Sequence, residues 1–468
     1  MAAICMILFI PVKKEIWYDE TISIQCSKGI SHDLQHVLAN TNVTNSDTLA
    51  RLNTAANVFD ATVKDNANSY LYNITLHWLT ELAGNSVDAY MLLSRLCAIG
   101  TLIAFFVLCN IIIGHRLFTS IALMLLVTDT NFFGMSHEIR AYAMGTTFVT
   151  LGAVFLFRFI GEKGKTSDLF FLALFSVAAI LSHFLSVYII LSFLAALVYI
   201  KKASFFSWKN IAAITGPLML LALFFILAYP GLAQMSRQNH DIQIKTASQG
   251  FNLAEVATRS LRFFALNFKA VFPAYLNKVI IFMISSLAIL GLYVGALKST
   301  ANKTNQRNLN LLFMLGVSST LFLAFLCVKS HHYTALYFRY FSFCIPFCCL
   351  FSAYALQLLS HNPKLHIAIK GGAVGIILLP ALALFLFSIR GAGVPQQYNH
   401  PSIAEKIVAK HINKLSVPKW KDAFIVQCLL PRGYKIDYVR NEIAPYFTLY
   451  SGNAEENIPI IRKEEGIK

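Results

Sequence analysis

Asp19 and Glu20 stand side by side in EIWYDETIS, just after the first apolar run of the chain. A carboxylate there could take the proton of an attacking hydroxyl. Adjacent helix positions point about 100° apart, so one of the two faces a given site while the other orients it or accepts a hydrogen bond. A second polar group lies in SHEIRAYAM, residues 136 to 144, where His137, Glu138, Arg140 and Tyr142 interrupt membrane-like sequence. Ionisable groups where a helix enters a bilayer are costly and are usually paired or functional. The structural alternatives are a Glu138 to Arg140 ion pair and an Arg140 that snorkels to the interface. His183 follows Ser182 in the middle of a long apolar stretch, and KSHHYTALYFRYFSFCIP brings Lys329, His331, His332 and Arg339. In LAEVATRSLRFFALNFKAVF, Arg259, Arg262 and Lys269 fall at i, i+3 and i+10, one face of a basic amphipathic helix suited to phosphate headgroups. A carboxylate pair with a set of cations is what a lipid-phosphate substrate requires: cations hold the phosphate and offset its charge as it leaves, and the carboxylate deprotonates an acceptor. The chain has no P-loop, Rossmann fingerprint, zinc spacing or GxSxG elbow. No cofactor is called for, and a divalent cation is left open.

The elements that must position these residues are membrane spans. Of 468 residues 56% are hydrophobic and 13% charged, with a mean hydropathy of +0.59. Soluble domains carry about a quarter charged residues, so the chain is a polytopic membrane protein. Its net charge of +16, from 39 basic and 23 acidic residues, sits mainly in short loops between apolar runs. That distribution points to anionic lipid as partner, not to nucleic acid. Seven of nine cysteines lie in apolar runs as small buried thiols; Cys26 and Cys428 lie in polar regions and could pair only if the fold brought them together.

A crossing helix needs about 20 apolar residues. Runs of that kind cover 89–113, 117–134, 141–160, 210–229, 278–297, 310–328, 337–358 and 368–389. Residues 169–200 read as two short spans around the Ser182–His183 turn, and 1–11 gives half a crossing, so about eleven spans are expected. With the N-terminus inside, the inner loops carry Arg116, Lys163, Lys165, Lys201, Lys202, Lys209, Lys298, Lys303, Arg307 and Lys364. The outer face then receives the first long loop 12–88, the HEIR loop, the His183 turn, the second long loop 230–277, the loop 329–339 and everything from residue 390. In the first outer loop Leu71, Ile74, Trp78 and Leu82 make the apolar stripe of an amphipathic helix lying flat on the membrane, with His77 beside it in a structural or a functional role. After the transmembrane domain, 1–389, the segment 390–468 reads as a small α/β appendage: PSIAEKIVAKHINKL is helix-periodic after a Ser402 cap, and DAFIVQCLL reads as a strand. The expected fold is an all-α polytopic membrane protein with interfacial helices in its first external loop and that small C-terminal extramembrane segment.

The order of these segments resembles a known family. A short first helix followed by WYDE, an external loop ending in YLYNITLHWLTELAGNSVDAYMLLSRL, then SHEIRAYAM, a histidine between two short spans, and a late YFRYFSFCIP are similar to the C-type polyprenyl-phosphate-sugar glycosyltransferases. The nearest branch is the bacterial relatives of protein O-mannosyltransferases and of the aminoarabinose transferases that modify lipid A. The likeness runs over roughly residues 10 to 360, and departs from the family where NANSY and Ala141 replace its usual prolines. The resemblance implies a bacterial inner-membrane enzyme with its site on the periplasmic face. It would move a sugar, with inversion, from a polyprenyl-phosphate carrier to a hydroxyl of a glycan, lipid or protein. It implies Asp19 as general base with Glu20 beside it, and donor phosphate held by Arg140 and Arg339 with Glu138, Tyr142 and Tyr340 alongside; His183, Arg259 and Arg262 are the nearby basic groups on the same face. Other classes remain open: a flippase or transporter of lipid-linked sugars, an O-antigen-ligase-type enzyme or acyltransferase, or an interaction scaffold. A transporter would place its ionisable groups near the bilayer midplane in broken helices, often with internal repeats.

Overall fold

In the computed structural model the described residues are 7, 16–31, 53–64, 68–247, 253–267, 278–330, 338–361, 397–398, 400–412, 414–417, 426, 428–430, 437–440, 446–451 and 454–459. Of Asp19, Arg259, Arg262 and Arg339 the backbone alone is described, and His331, His332, Lys269 and the run 368–389 lie outside these residues.

A two-residue strand, β1 (Ile16–Trp17), leads into helix α1 (Tyr18–Ser27). Helices α2 (Ala55–Lys64) and α3 (Tyr70–Ala83) complete the described part of the first loop. Ser86 accepts the Ala89 amide at 3.2 Å and so caps α4 (Val87–Ile112), a long apolar helix. Then come α5 (Arg116–Val127), α6 (Thr130–Met135), α7 (Tyr142–Ile160) and α8 (Thr166–Ser182). A short 3-10 turn (Phe184–Ser186) separates α8 from α9 (Val187–Lys201). Four long helices follow, α10 (Trp208–Ala247), α11 (Leu253–Asn267), α12 (Lys278–Lys298) and α13 (Lys303–Ser330). A 3-10 segment (Phe338–Cys344) then runs straight into α14 (Ile345–Ser360). Among the described residues five helical stretches are long and apolar enough to cross a bilayer: Val87–Ile112, Tyr142–Ile160, Phe184–Lys201, Trp208–Tyr229 and Ser342–Ser360. The chain is a helical, multi-pass membrane protein.

The C-terminal residues form β2 (Gln397–Tyr398), α15 (His400–Ala409), β3 (Lys414–Val417), β4 (Asp437–Arg440), β5 (Tyr446–Ser451) and β6 (Ala454–Pro459). Their four-stranded sheet has the order β4-β3-β5-β6, with β3 and β4 parallel and the other pairs antiparallel. β2 pairs separately with β1, Ile16 opposite Tyr398.

The basic loops expected inside meet at one end of the bundle. Gln357 Nε2 donates to Ile113 O at 3.0 Å, Arg307 Nη1 to Ile160 O at 3.2 Å, and Lys201 lies over the Phe159 ring. The opposite end gathers the starts of α4 and α7, the His183 turn and the start of α14, over a core that includes Phe105, Phe132, Tyr142, Phe193, Phe343 and Phe347.

Five details differ from the sequence expectations. The run 117–134 is not one span, because buried Asp129 accepts the Phe132 amide at 2.7 Å and starts a new helix. At about 18 Å, the twelve residues of α5 fall short of a bilayer core. Helix α10 continues past the end of its apolar run, through Pro230 and Gly231, to Ala247, into the expected outer loop; the Leu, Ala, Gln, Met and Arg that follow are good helix formers although hydropathy drops. The run 337–358 opens as the 3-10 segment, and α15 begins at His400, with Pro401 in its first turn, so Ser402 is not its cap. In DAFIVQCLL the described residues Val426, Cys428 and Leu429 are helical and buried; a short apolar run of this length has no periodicity that separates helix from strand.

Candidate active site

Glu20 lies on α1, 5% exposed, and its Oε1 accepts the Ile139 amide at 2.7 Å. A carboxylate from the first loop is thereby fastened to the middle of the HEIR turn. One helical turn further along α1, Ser23 Oγ accepts from Arg140 Nη1 at 3.3 Å. Residues three apart share a helix face, so Glu20 and Ser23 together present one side of α1 to the 138–141 turn. Ser94 Oγ, from α4, donates to Glu138 O and holds the same turn from the other side. Beside it the His137 ring packs on Phe133 and donates from Nδ1 to Phe133 O at 3.0 Å; burial holds this imidazole below the ordinary histidine range.

Tyr142, the first residue of α7 and 1% exposed, is where the separate segments meet. The Arg140 guanidinium carbon is 5.9 Å from its ring centre, within cation–π range. His183 packs on the same ring at 4.8 Å between centroids and 32° between planes, with Tyr340 at 6.2 Å and Phe343 at 6.4 Å. His183 is in extended backbone between α8 and the 3-10 turn, and its Nδ1 accepts the Leu185 amide at 3.2 Å, so the neutral ring carries its proton on Nε2. The Tyr188 hydroxyl donates to Tyr340 O at 2.9 Å and fixes the 3-10 segment that also contains Arg339. Gly145, one turn along α7, lets that segment close: a Cβ there would lie 2.6 Å from Phe343 Cε1. Helix α11, carrying Arg259 and Arg262, packs against α12 and α13 and touches the same 3-10 segment.

No protein-family model matches the chain, and no curated protein matches it in sequence. The crystal structure of ArnT from Cupriavidus metallidurans in the apo state is similar over 92% of this chain and 83% of that one, at 12% identity and a TM-score of 0.36. A likeness at that level establishes neither a family nor an activity.

Five residues singled out from sequence, Glu20, Arg140, Tyr142, His183 and Tyr340, thus lie in one connected set of contacts, and Glu138 joins it through its carbonyl. Asp19 shares α1 with Glu20. Among the described residues no group of three or more His, Cys, Asp or Glu could hold a metal ion. His77 is buried, and its Nδ1 donates to Ser27 O at 3.1 Å and ties the end of α1 to α3. Lys28, also buried, strengthens that tie through Thr80 Oγ1 at 3.1 Å and Glu81 Oε1 at 3.5 Å. Cys26 and Cys428 are both buried thiols that do not pair with each other, and burial pushes the Cys428 thiol up to about 12.

Sequence reasoning missed Ser23, Ser94 and Tyr72. Tyr72 is fully buried on α3, where Glu20, Arg140 and Ser94 act on its phenol, and burial raises that phenol well above the usual tyrosine range. The signal was the second face of α3. Tyr72, Leu76 and Thr80 recur every four residues and are buried, while in the apolar stripe chosen from sequence Trp78 is 58% and Leu82 88% exposed. The stripe faces outward, and the more polar face meets the protein.

Proposed function

We propose that this chain is an integral membrane glycosyltransferase that moves a sugar from a polyprenyl-phosphate carrier to an acceptor hydroxyl on the periplasmic face of the bacterial inner membrane. The observation that carries the reading is Tyr142: around one ring, at one end of the bundle, stand Arg140, His183 and Tyr340 from three distant parts of the chain, with Glu20 fastened to the same turn. Cations, hydroxyls and carboxylates at an end of a bundle, not at its middle, suit chemistry on a lipid headgroup better than passage through the membrane.

In this reading Asp19 takes the proton of the acceptor hydroxyl as its oxygen bonds to the anomeric carbon. The bond from that carbon to the phosphate oxygen breaks on the opposite side, which inverts the centre, and the carrier leaves as a monophosphate. Arg140 and Arg339 offset the charge gathering on the leaving oxygen, and Arg259 and Arg262 on α11 attract the headgroup. Glu20 holds the Ile139 amide and so keeps Arg140 in place. The acceptor is a glycan, lipid or protein hydroxyl.

The test is mass spectrometry of envelope glycans and lipid A from cells with the gene, without it, and complemented by wild type or Asp19→Asn. A sugar mass that disappears on deletion, returns with wild type and stays absent with Asp19→Asn is the expected result, since losing a general base costs about 10² to 10⁴ in rate. Full restoration by Asp19→Asn removes Asp19 as the base, and an envelope unchanged by deletion removes the reading.

A further inference from the structure

The candidate active site occupies one end of the bundle, and the other end holds buried polar atoms without partners. Arg307, in the second turn of α13, donates from Nη1 to Ile160 O at 3.2 Å and from Nη2 to Asn308 Oδ1 at 3.5 Å, while its Nε is buried with no acceptor. Gln357, near the end of α14, donates from Nε2 to Ile113 O at 3.0 Å, which fixes the amide's orientation, and its Oε1 is buried with no donor. Tyr354, one turn earlier and 2% exposed, has a buried hydroxyl in the same condition. Contacts along the two helices bring these groups to one level. Helices α13 and α14 run antiparallel, with Ser319 Oγ donating to Cys344 Sγ at 3.0 Å, Cys348 Sγ to Gly316 O at 3.8 Å, and the Phe313 and Phe351 rings 5.5 Å apart. The same register, continued, sets Arg307 opposite Gln357 with Tyr354 one turn away, and the Arg307 charge acts on the Tyr354 phenol.

This set calls for an anion. Among the described residues Arg307 has no carboxylate partner, and Glu162, in the turn after Ile160, is exposed and does not pair with it. A partly buried guanidinium held by carbonyls alone keeps its charge uncompensated. The preference for basic loops on one side of a membrane accounts for exposed cations such as Lys298 and Lys303 at this end, but not for the buried atoms of Arg307, Tyr354 and Gln357. A buried water would answer the hydrogen bonds and leave the charge. A phosphate answers both, since Arg307 Nε and the Tyr354 hydroxyl are donors. Gln357 Oε1 is an acceptor and asks for a hydroxyl on the same molecule. A phosphodiester with a hydroxylated headgroup supplies the two together. Arg307 and Gln357 are partly exposed and form the rim, with Tyr354 as the floor. The crossing helix Ser342–Ser360 ends just beyond Gln357, so the rim lies at the depth of lipid headgroups.

We propose that the end of the bundle opposite the candidate active site binds an anionic glycerophospholipid of that leaflet, its phosphate on Arg307 and the Tyr354 hydroxyl and its headgroup hydroxyl on Gln357 Oε1. Arg307 and Gln357 already hold the ends of α7 and α4, so the lipid joins four helices and its binding is read as stability. The test is thermal unfolding of the full-length protein in detergent, washed until mass spectrometry finds no bound lipid. Phosphatidylglycerol, phosphatidylcholine with the same chains, or inorganic phosphate is then added. Phosphatidylglycerol raises the wild-type melting temperature at least twice as far as phosphatidylcholine does, and inorganic phosphate leaves it unchanged. Tyr354→Phe, which alters no charge, melts no lower than wild type without lipid, because a hydroxyl without a partner is gone and the ring still packs. With phosphatidylglycerol it shows less than half the wild-type rise. The double variant Lys298→Gln, Lys303→Gln removes two exposed cations and keeps most of the rise. A rise with phosphatidylglycerol no larger than with phosphatidylcholine overturns the site. So does a Tyr354→Phe protein that responds like wild type, or one that melts lower before lipid is added. A lysine double variant that loses as much as Tyr354→Phe assigns the effect to surface charge and overturns the site as well. A rise with inorganic phosphate equal to that with phosphatidylglycerol overturns the lipid as the ligand.

Discussion

Glu20 does two separable things: it carries charge, and it accepts the buried Ile139 amide. Gln at this position keeps the acceptor and drops the charge; Ala drops both. A buried amide left without its acceptor costs about 1–3 kcal/mol, so Glu20→Ala lowers unfolding stability by that amount, while Glu20→Gln costs less than about 1 kcal/mol. Denaturant or thermal unfolding of the two variants checks the tether independently of any substrate. Activity then sorts the two carboxylates. If Asp19 is the base, Glu20→Gln keeps most of the transfer rate where Asp19→Asn loses about 10²-fold or more; the opposite order gives the proton to Glu20. Arg140→Lys probes the cation in the same way. Lysine keeps the charge but not the planar fork, or its stacking on Tyr142, so the rate falls about tenfold or more while the fold survives.

At the scale of elements, α7 and the 3-10 segment Phe338–Cys344 are pressed together through Gly145. The neighbouring Phe343 is fully buried against Tyr142, His183 and Tyr188, so its ring has nowhere to turn. Gly145→Ala must push the segment away, at about 1–3 kcal/mol of overpacking. It also carries Tyr340 away from Tyr142, so transfer drops by more than the loss of folded protein measured on the same preparation. The fold was legible in sequence where a single property decides it: α4 and α7 follow from unbroken apolar length, and the His183 turn from polar residues inside a stretch too long for one helix. It was not legible where a local contact overrides an average. Asp129 is one acid in a greasy run, and only its reach to the Phe132 amide makes it a cap. On α3 the apolar stripe stands out by its spacing, and Trp78 and Leu82 in it are exposed, but hydrophobicity alone does not say that Tyr72, Leu76 and Thr80 on the other face meet the protein. Arg140, Tyr142 and His183 stand out because polar and ionisable residues inside apolar sequence are conspicuous, and Tyr340 entered through the resemblance alone, whereas Ser23, Ser94 and Tyr72 are ordinary residues until the neighbours they meet are known.

For the whole molecule, the decisive join is between the two ends of the chain. Strand β2 pairs with β1, immediately ahead of the helix that carries Asp19 and Glu20. The Tyr90 hydroxyl donates to Cys428 O at 2.9 Å and Asn85 to Leu430 O at 3.3 Å, which docks the C-terminal segment onto the start of α4. Ile403, Ile407 and Leu415 share one buried cluster with Tyr72, Ile139 and Met144. The last segment of the chain is therefore a wall of the candidate site, and the first loop is held in place by residues nearly the full length of the chain away. Antiparallel partners stand about 4.5–5.5 Å apart at Cα, inside the range a disulfide spans. Ile16→Cys with Tyr398→Cys is thus expected to form an intramolecular bond under mild oxidation, seen as N- and C-terminal proteolytic fragments that separate only on reduction. Ile407→Asp, which buries an unpaired charge in the shared cluster, is expected to loosen the wall and reduce transfer while the membrane helices stay folded. Combining the two separates positioning from packing. If the appendage acts by holding α1 against the HEIR turn, oxidation of the triple variant recovers a large part of the lost rate and reduction removes it again. A rate indifferent to the crosslink would mean that the appendage does not act on the site by holding β1 and α1 in place.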